Sequence, residues 1–212
     1  MEHVDSIQPG DHVALFFRTR AEQFSWVCPF VASGLQRNER VLYIAHDNSV
    51  PMVLSKFERF GIDVNTARAT DALRVVTRNE SYQKHGIFEP QKMVDSLVAQ
   101  VDHALADGFS GLRASGEMTW AIDTPHALAQ LTGYEAGLHE NFAAKLTGLC
   151  QYDVTRFAPS VVSDMIRIHP KIIANGRLSE NPLHAKPQEV LSGTLPEVSL
   201  NHLFSDGPAD NL

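Results

Sequence analysis

Apolar, β-rich runs alternate along this chain with segments of helical period. His12–Phe17 (HVALFF), Arg40–Ala45 (RVLYIA) and Leu73–Thr77 (LRVVT) read as strands. Residues 111–115 (GLRAS) read as a weaker fourth strand, 146–152 (LTGLCQY) as a fifth and Lys171–Ala174 as a short last one. Between them, residues 19–36 predict a helix: Thr19 and Glu22 have capping-box spacing, and Phe24, Val27, Val31 and Leu35 recur on one face. Pro29 inside that segment is expected to kink or shorten it. Val50–Phe60 predicts a second helix. Residues 90–105, with Met93, Val94, Leu97, Val98, Val101 and Leu105, predict an amphipathic third. Thr124 and Pro125 supply N-cap and first-turn chemistry for a helix turning Leu128, Leu131, Leu138 and Phe142 inward, and Pro159–Ile168 predicts another.

Strands and helices in this order imply right-handed βαβ crossovers. The expected fold is therefore a three-layer α/β domain, with a mainly parallel sheet and helices on both faces. The domain is placed at residues 1–185. Residues 186–212 form a tail with Pro187, Pro196 and Pro208 and isolated apolar anchors at Leu191, Leu195, Val198, Leu203 and Phe204. That tail is expected to drape over the domain or engage a partner, fraying after Asp206.

Composition narrows the function. Of the 212 residues 43% are hydrophobic and 20% charged, enough apolar material for one sizeable core. The net charge of −7, with no basic patch denser than Arg18 and Arg20, argues against direct binding of nucleic acid or an anionic membrane. Cys28 and Cys150 have no CxxC spacing, so neither a disulfide framework nor a zinc site is expected, and both read as small buried hydrophobes. The ten histidines show no i, i+4 pair, and no metal is expected. Without a basic leader or a long apolar run, the expected location is cytoplasmic.

In an open parallel sheet, ligands bind beyond the carboxyl ends of the strands. That rule collects Phe17 and Arg18 after the first strand, His46, Asp47 and Asn48 after the second, and Arg78 and Tyr82 after the third. It adds Glu117 and Trp120 after the fourth, and Tyr152, Asp153 and Arg156 after the fifth. The first βα turn, FFRTRAEQ, has no glycine and no lysine, so a Walker A phosphate loop is missing and ATP is not an expected cofactor. Arg18 or Arg20 near the helix start is read as a solvated arginine before an anion ligand. With no HExxH, GxSxG or GxGxxG, the chain is not expected to be an enzyme. Glu117 has two readings, a base or ligand contact, or a carboxylate that ties down the loop following it by accepting amide hydrogen bonds.

The runs DHVALFF, NERVLYIA, GLRASGEMTWAI and LCQYDVTRF, with Tyr134-Glu135, His169-Pro170 and Asn181-Pro182, resemble the MEDS family, the methanogen/methylotroph sensory domain of DcmR-type regulators. The resemblance spans about residues 10 to 183. It implies a divergent RecA/KaiC-like fold without its phosphate-binding loop, and a role in sensing small organic molecules such as hydrocarbon derivatives. Matching motif positions are His12, His46, Glu117, Trp120, Tyr134, Glu135, Cys150, Tyr152, Asp153, Arg156, Phe157 and His169. The resemblance also implies a partner that is a signalling kinase or transcription regulator, with a homodimer left open. Two rivals stand beside this reading: a degenerate nucleotide-binding protein or enzyme with a rebuilt site, and a pure protein-interaction module.

Overall fold

The structure, a computed structural model, describes residues 4–82, 87–141, 145–196 and 198. Phe142, Leu203, Phe204, Asp206 and Pro208, which figure in the sequence expectations, lie outside the described residues. The elements run β1 (His12–Phe17), α1 (Arg20–Gln36), β2 (Arg40–Ala45), α2 (Val50–Phe60), α3 (Val64–Ala69), β3 (Leu73–Thr77), α4 (Pro90–Ala106) and β4 (Leu112–Glu117). They continue with α5 (Pro125–Asn141), β5 (Leu146–Asp153), α6 (Pro159–Ile168), β6 (Lys171–Ala174), β7 (Arg177–Glu180) and α7 (Pro187–Leu191). The strands form one seven-stranded sheet in the order β3-β2-β4-β5-β1-β6-β7. Every pairing is parallel except β6 with β7. This is the α/β architecture the alternation predicts.

β1 and β2 are buried along their whole length, so successive side chains serve opposite layers. Val13, Leu15, Val41 and Tyr43 join Phe24, Val27 and Val31 of α1 and Val53 and Phe57 of α2 in one core. Ala14, Phe16, Leu42 and Ile44 join residues of α4, α5 and α6 in the other. Ion pairs of buried arginines brace the amino ends of the central strands. Arg113 Nε donates to Glu39 at 2.5 Å while its guanidinium lies 4.6 Å from the Phe30 ring, and Arg40 reaches Asp107 at 2.6 Å.

Several expectations need correction. α1 is not shortened at Pro29 and runs Arg20–Gln36, because the carbonyl left without a donor belongs to Ser25 on the exposed face, where water can take its place. On α4, Met93, Val94 and Leu97 are buried, but Val98 and Leu105 stay more than a third exposed. β4 runs on to Glu117, so that carboxylate sits in the sheet and not in the loop after it. In the tail, Val190 is buried and Leu195 and Val198 pack on the core, while Leu191 is 55% exposed. The Arg167 guanidinium donates to the Pro196 carbonyl at 2.7 Å and the Val198 amide donates to the Ser163 hydroxyl at 2.8 Å, so the described tail is tied to α6. Among the described residues no helix is long and apolar enough to cross a membrane.

The seam between β4 and β5 leaves no room for a side chain at Gly111, where an added Cβ would stand 2.6 Å from the Lys145 carbonyl oxygen. Gly111→Ala should therefore cost about 1–3 kcal/mol in urea denaturation. Gly133→Ala, on α5 with nothing within 4 Å of the added Cβ, should be neutral or stabilising by up to about 1 kcal/mol. The reverse order would mean that this seam is not as tight as described.

Candidate functional site

At the carboxyl ends of the central strands, pleat and register bring a set of polar side chains into one layer. Glu117 pairs with Gln151, Tyr43 with Ser115, and Phe17 with Asp153. The Glu117 carboxylate is buried and accepts four hydrogen bonds: from the Tyr43 hydroxyl at 2.6 Å, the Asn48 side-chain amide at 2.7 Å, and the His46 and Asn48 backbone amides at 2.8 and 3.1 Å. The network continues inward. Asn48 Nδ2 also donates to Gln23 (3.1 Å), Gln23 to Gln151 (2.7 Å), Gln151 to Ser115 (2.8 Å) and Ser115 to the Leu149 carbonyl (3.0 Å). Burial, then the neighbouring Glu117 charge, pushes the Tyr43 pKa well above its ordinary value, so the phenol stays a donor. Glu117 does tie down a loop, but it is the one after β2 and not the expected one that follows β4, and the same residue lines the cleft above.

Above this floor opens a cleft of about 280 Å³, lined by Phe17, Arg20, Gln23, Asp47, Asn48, Glu117, Thr119, Gln151, Asp153 and Arg156. The Asn48 side-chain oxygen is buried and has no hydrogen-bond partner among the described residues. The rim is a second network. Asp47 accepts from Thr119 at 2.5 Å and from Arg156 at 2.7 Å, and His46 lies 3.6 Å from Asp123, which Arg78 also grips. Burial opposes the Asp47 charge, but the Thr119 hydroxyl and Arg156 outweigh it and hold the carboxyl below its usual pKa. His46 is shifted the other way, down, because burial outweighs its acidic neighbours.

The amino end of α1 carries its own anion. The Thr19 hydroxyl accepts from the Glu22 amide at 3.2 Å, and the Glu22 carboxylate accepts from the backbone amides of Arg18 (2.7 Å) and Thr19 (3.2 Å). Two of the amides that a phosphate at this helix start would use, those of Thr19 and Glu22, are thereby engaged.

Of the residues expected at the strand ends, Phe17, Asp47, Glu117, Asp153 and Arg156 line the cleft. His46 and Arg78 join through the rim. Arg18 is exposed beside the α1 cap. Tyr82, Trp120 and Tyr152 are buried in the opposite core: Trp120 stacks on Tyr82 at 4.5 Å, because the 3-10 segment Met118–Asp123 folds back under α5. Tyr152 lies between Gln151 and Asp153 on β5, so the pleat sends it through the sheet. Gln23, Gln151 and Tyr43 escaped the sequence reading. For the two glutamines the one signal was a polar residue within an otherwise apolar helix face or strand, and Tyr43 read as an ordinary strand residue.

On that far side lies a second polar cluster. His12, Glu135, Cys150 and His169 are all buried, with one donor atom from each within 4.8 Å of the others. His12 Nε2 is 3.2 Å and His169 Nε2 3.6 Å from Glu135 Oε2, and the Cys150 sulfur is 3.5 Å from both that oxygen and His12 Nε2. Tyr152 donates to the other Glu135 oxygen at 2.5 Å. Burial, then repulsion from His139 and His184, holds His12 well below its ordinary pKa. Burial, then repulsion from His12, takes His169 down to about 3. Burial raises both Glu135 and Cys150. Cys150 is thus no plain hydrophobe. Cys28 is buried in the α1–α2 core, its thiol pushed up to about 11 by burial. A further hollow of about 400 Å³ at the amino ends of the strands is lined mostly by apolar residues such as Leu35, Ile62 and Ala67, with no polar network converging on it.

Comparison with known proteins places these motifs. The family model described as MEDS, "MEthanogen/methylotroph, DcmR Sensory domain", matches residues 11–170. A crystal structure of an uncharacterized protein from Pyrococcus horikoshii, in complex with an unknown peptide, is similar in fold. Its TM-score is 0.57 at 13% identity, covering 76% of this chain and 75% of that one. No curated protein matches the chain.

Removing the Glu117 carboxylate strands four donors, two of them backbone amides. Glu117→Ala should therefore lower stability by about 3 kcal/mol or more. Arg156→Ala breaks a rim pair whose arginine is 39% exposed and should cost no more than about 1 kcal/mol. Chemical denaturation of both variants checks the ranking, and equal losses would contradict the four-donor network.

Proposed function

The chain belongs to the MEDS family of sensory domains, and on that footing we propose that it binds a small polar organic molecule in the cleft at the strand carboxyl ends and reports it to a partner protein. The observation that carries this is the Asn48 side-chain oxygen, a buried acceptor at the cleft floor with no hydrogen-bond partner among the described residues. A ligand hydroxyl or amine satisfies it, and leaving such an acceptor unpaired costs about 1–3 kcal/mol. The lining is more polar than a pocket for a bare hydrocarbon, with Phe17 the main apolar wall. Hydrocarbon derivatives that keep an O–H or N–H fit it best.

Nucleotide is a poor fit for the same place. Glu22 already occupies the amides at the α1 start, and a phosphate would meet its charge. No side chain at the cleft stands as an activated nucleophile, so the reading is a binding protein and not an enzyme, needing no cofactor for its response. Output passes through the loops that the rim joins, since Asp47, Thr119 and Arg156 belong to three different strand-end segments. A ligand moves them only if it favours one arrangement over another. The partner implied by the family is a signalling kinase or transcription regulator, met in the cytoplasm.

Thermal denaturation in the presence of small alcohols, diols, amines and their methyl ethers tests the proposal. An alcohol at a hundredfold its dissociation constant should add about 2.7 kcal/mol, and the matching ether much less. Asp47→Ala with Arg156→Ala should abolish the shift while the fold persists. Equal shifts from alcohol and ether, shifts indifferent to those variants, or phosphate release from ATP with magnesium would each refute it.

A further inference from the structure

We infer that His12, Glu135, Cys150 and His169 form a binding site for one divalent transition-metal ion, zinc by best fit, on the opposite side of the sheet from the cleft. Zinc bonds of about 2.0–2.3 Å in a tetrahedral shell set its donors roughly 3.2–3.8 Å apart. Four of the six donor separations fall in that range, 3.2 Å for His12 to Glu135, 3.5 Å for Cys150 to each of these, and 3.6 Å for His169 to Glu135, and all six lie within 4.8 Å. Two imidazole nitrogens, one thiolate and one carboxylate suit a borderline cation, and the two anions balance its charge. The four come from four separate places: the start of β1, the middle of α5, β5, and the turn after α6.

The strongest single pointer is His169. Its Nδ1 lies 2.7 Å from the Met165 carbonyl, which can only accept, so Nδ1 carries the proton. Nε2 of the neutral ring is then a bare lone pair, fully buried, without a hydrogen-bond partner among the described residues, and turned toward a carboxylate 3.6 Å away. Lone pair against carboxylate oxygen is repulsive. A cation between them reverses the sign. The Met165 carbonyl also does what an outer partner of a metal-bound histidine does, fixing the tautomer and the ring, and Tyr152 holds the second Glu135 oxygen in the same way. On coordination the Cys150 S–H bond breaks, its proton goes to buffer, and a sulfur–metal bond forms. A line of rings leads outward from the cluster, His12 stacked on His139 at 5.7 Å and His139 edge-on to the exposed His184 at 5.2 Å, a route by which an ion could be handed in. Four protein donors complete the shell, so the site is of the closed kind that stabilises or reports, with no position for a substrate.

The test uses the full chain, stripped with chelator and titrated with cobalt(II), then zinc. The expected result is one cobalt per chain with the intense visible bands of tetrahedral cobalt and a thiolate-to-cobalt charge-transfer band, both displaced by zinc. Cys150→Ser should lose the charge-transfer band, Cys28→Ala should keep it, and Tyr152→Phe should weaken zinc binding by about ten- to a hundredfold. With only two cysteines in the chain, the Cys28 variant assigns the band even if the Cys150 variant does not fold. Absence of stoichiometric uptake by the wild-type chain, weak octahedral bands, or a charge-transfer band lost with Cys28 would overturn the inference.

Discussion

A buried carboxylate must be surrounded by donors or it will not stay buried, and Glu117 organises one end of this molecule on that condition. Its donors come from β2 and the loop that follows, so the charge on β4 dictates where that loop sits. The Asn48 amide that serves Glu117 also starts the line of amides through Gln23 and Gln151 to Ser115. The cleft floor is thus set by hydrogen-bond accounting, and its rim, built from the more exposed Asp47, Asp123 and Arg156, is the part with freedom to change.

The sheet keeps two chemistries apart by parity alone. Along β5, Gln151 and Asp153 face the cleft with α1, while Cys150 and Tyr152 face the histidine cluster under α5 and α6. No side chain crosses between them, yet the two lie on one short stretch of backbone. The β5 backbone is thus the common support of both.

The fold was largely legible because buried parallel strands are long apolar runs, and helices such as α4 carry a clear period. What escaped was short or polar: α3 is six residues, and β7 (RLSE) buries only Leu178. Pro29 misled because its effect depends on which side of the helix loses a donor, something tertiary context decides. At the site, the strand-end rule found Asp47, Glu117, Asp153 and Arg156, since polar residues there are local in sequence. It could not assign faces, and so it gathered Tyr82, Trp120 and Tyr152 with them. The histidine cluster was invisible to ligand spacing because its donors are separated by up to the whole sheet in sequence, although the family resemblance had already marked each of the four positions.

Glu22, seated on the amides of the α1 cap, belongs to the chain and can never dissociate. A bound triphosphate can be spent and released, and that irreversible exit is what gives a motor or a timer its direction. A tethered carboxylate offers no such exit, so on the proposed reading this end of α1 supplies no fuel with which to remember a past stimulus. On that same reading, occupancy of the cleft follows present concentrations and reverses on dilution.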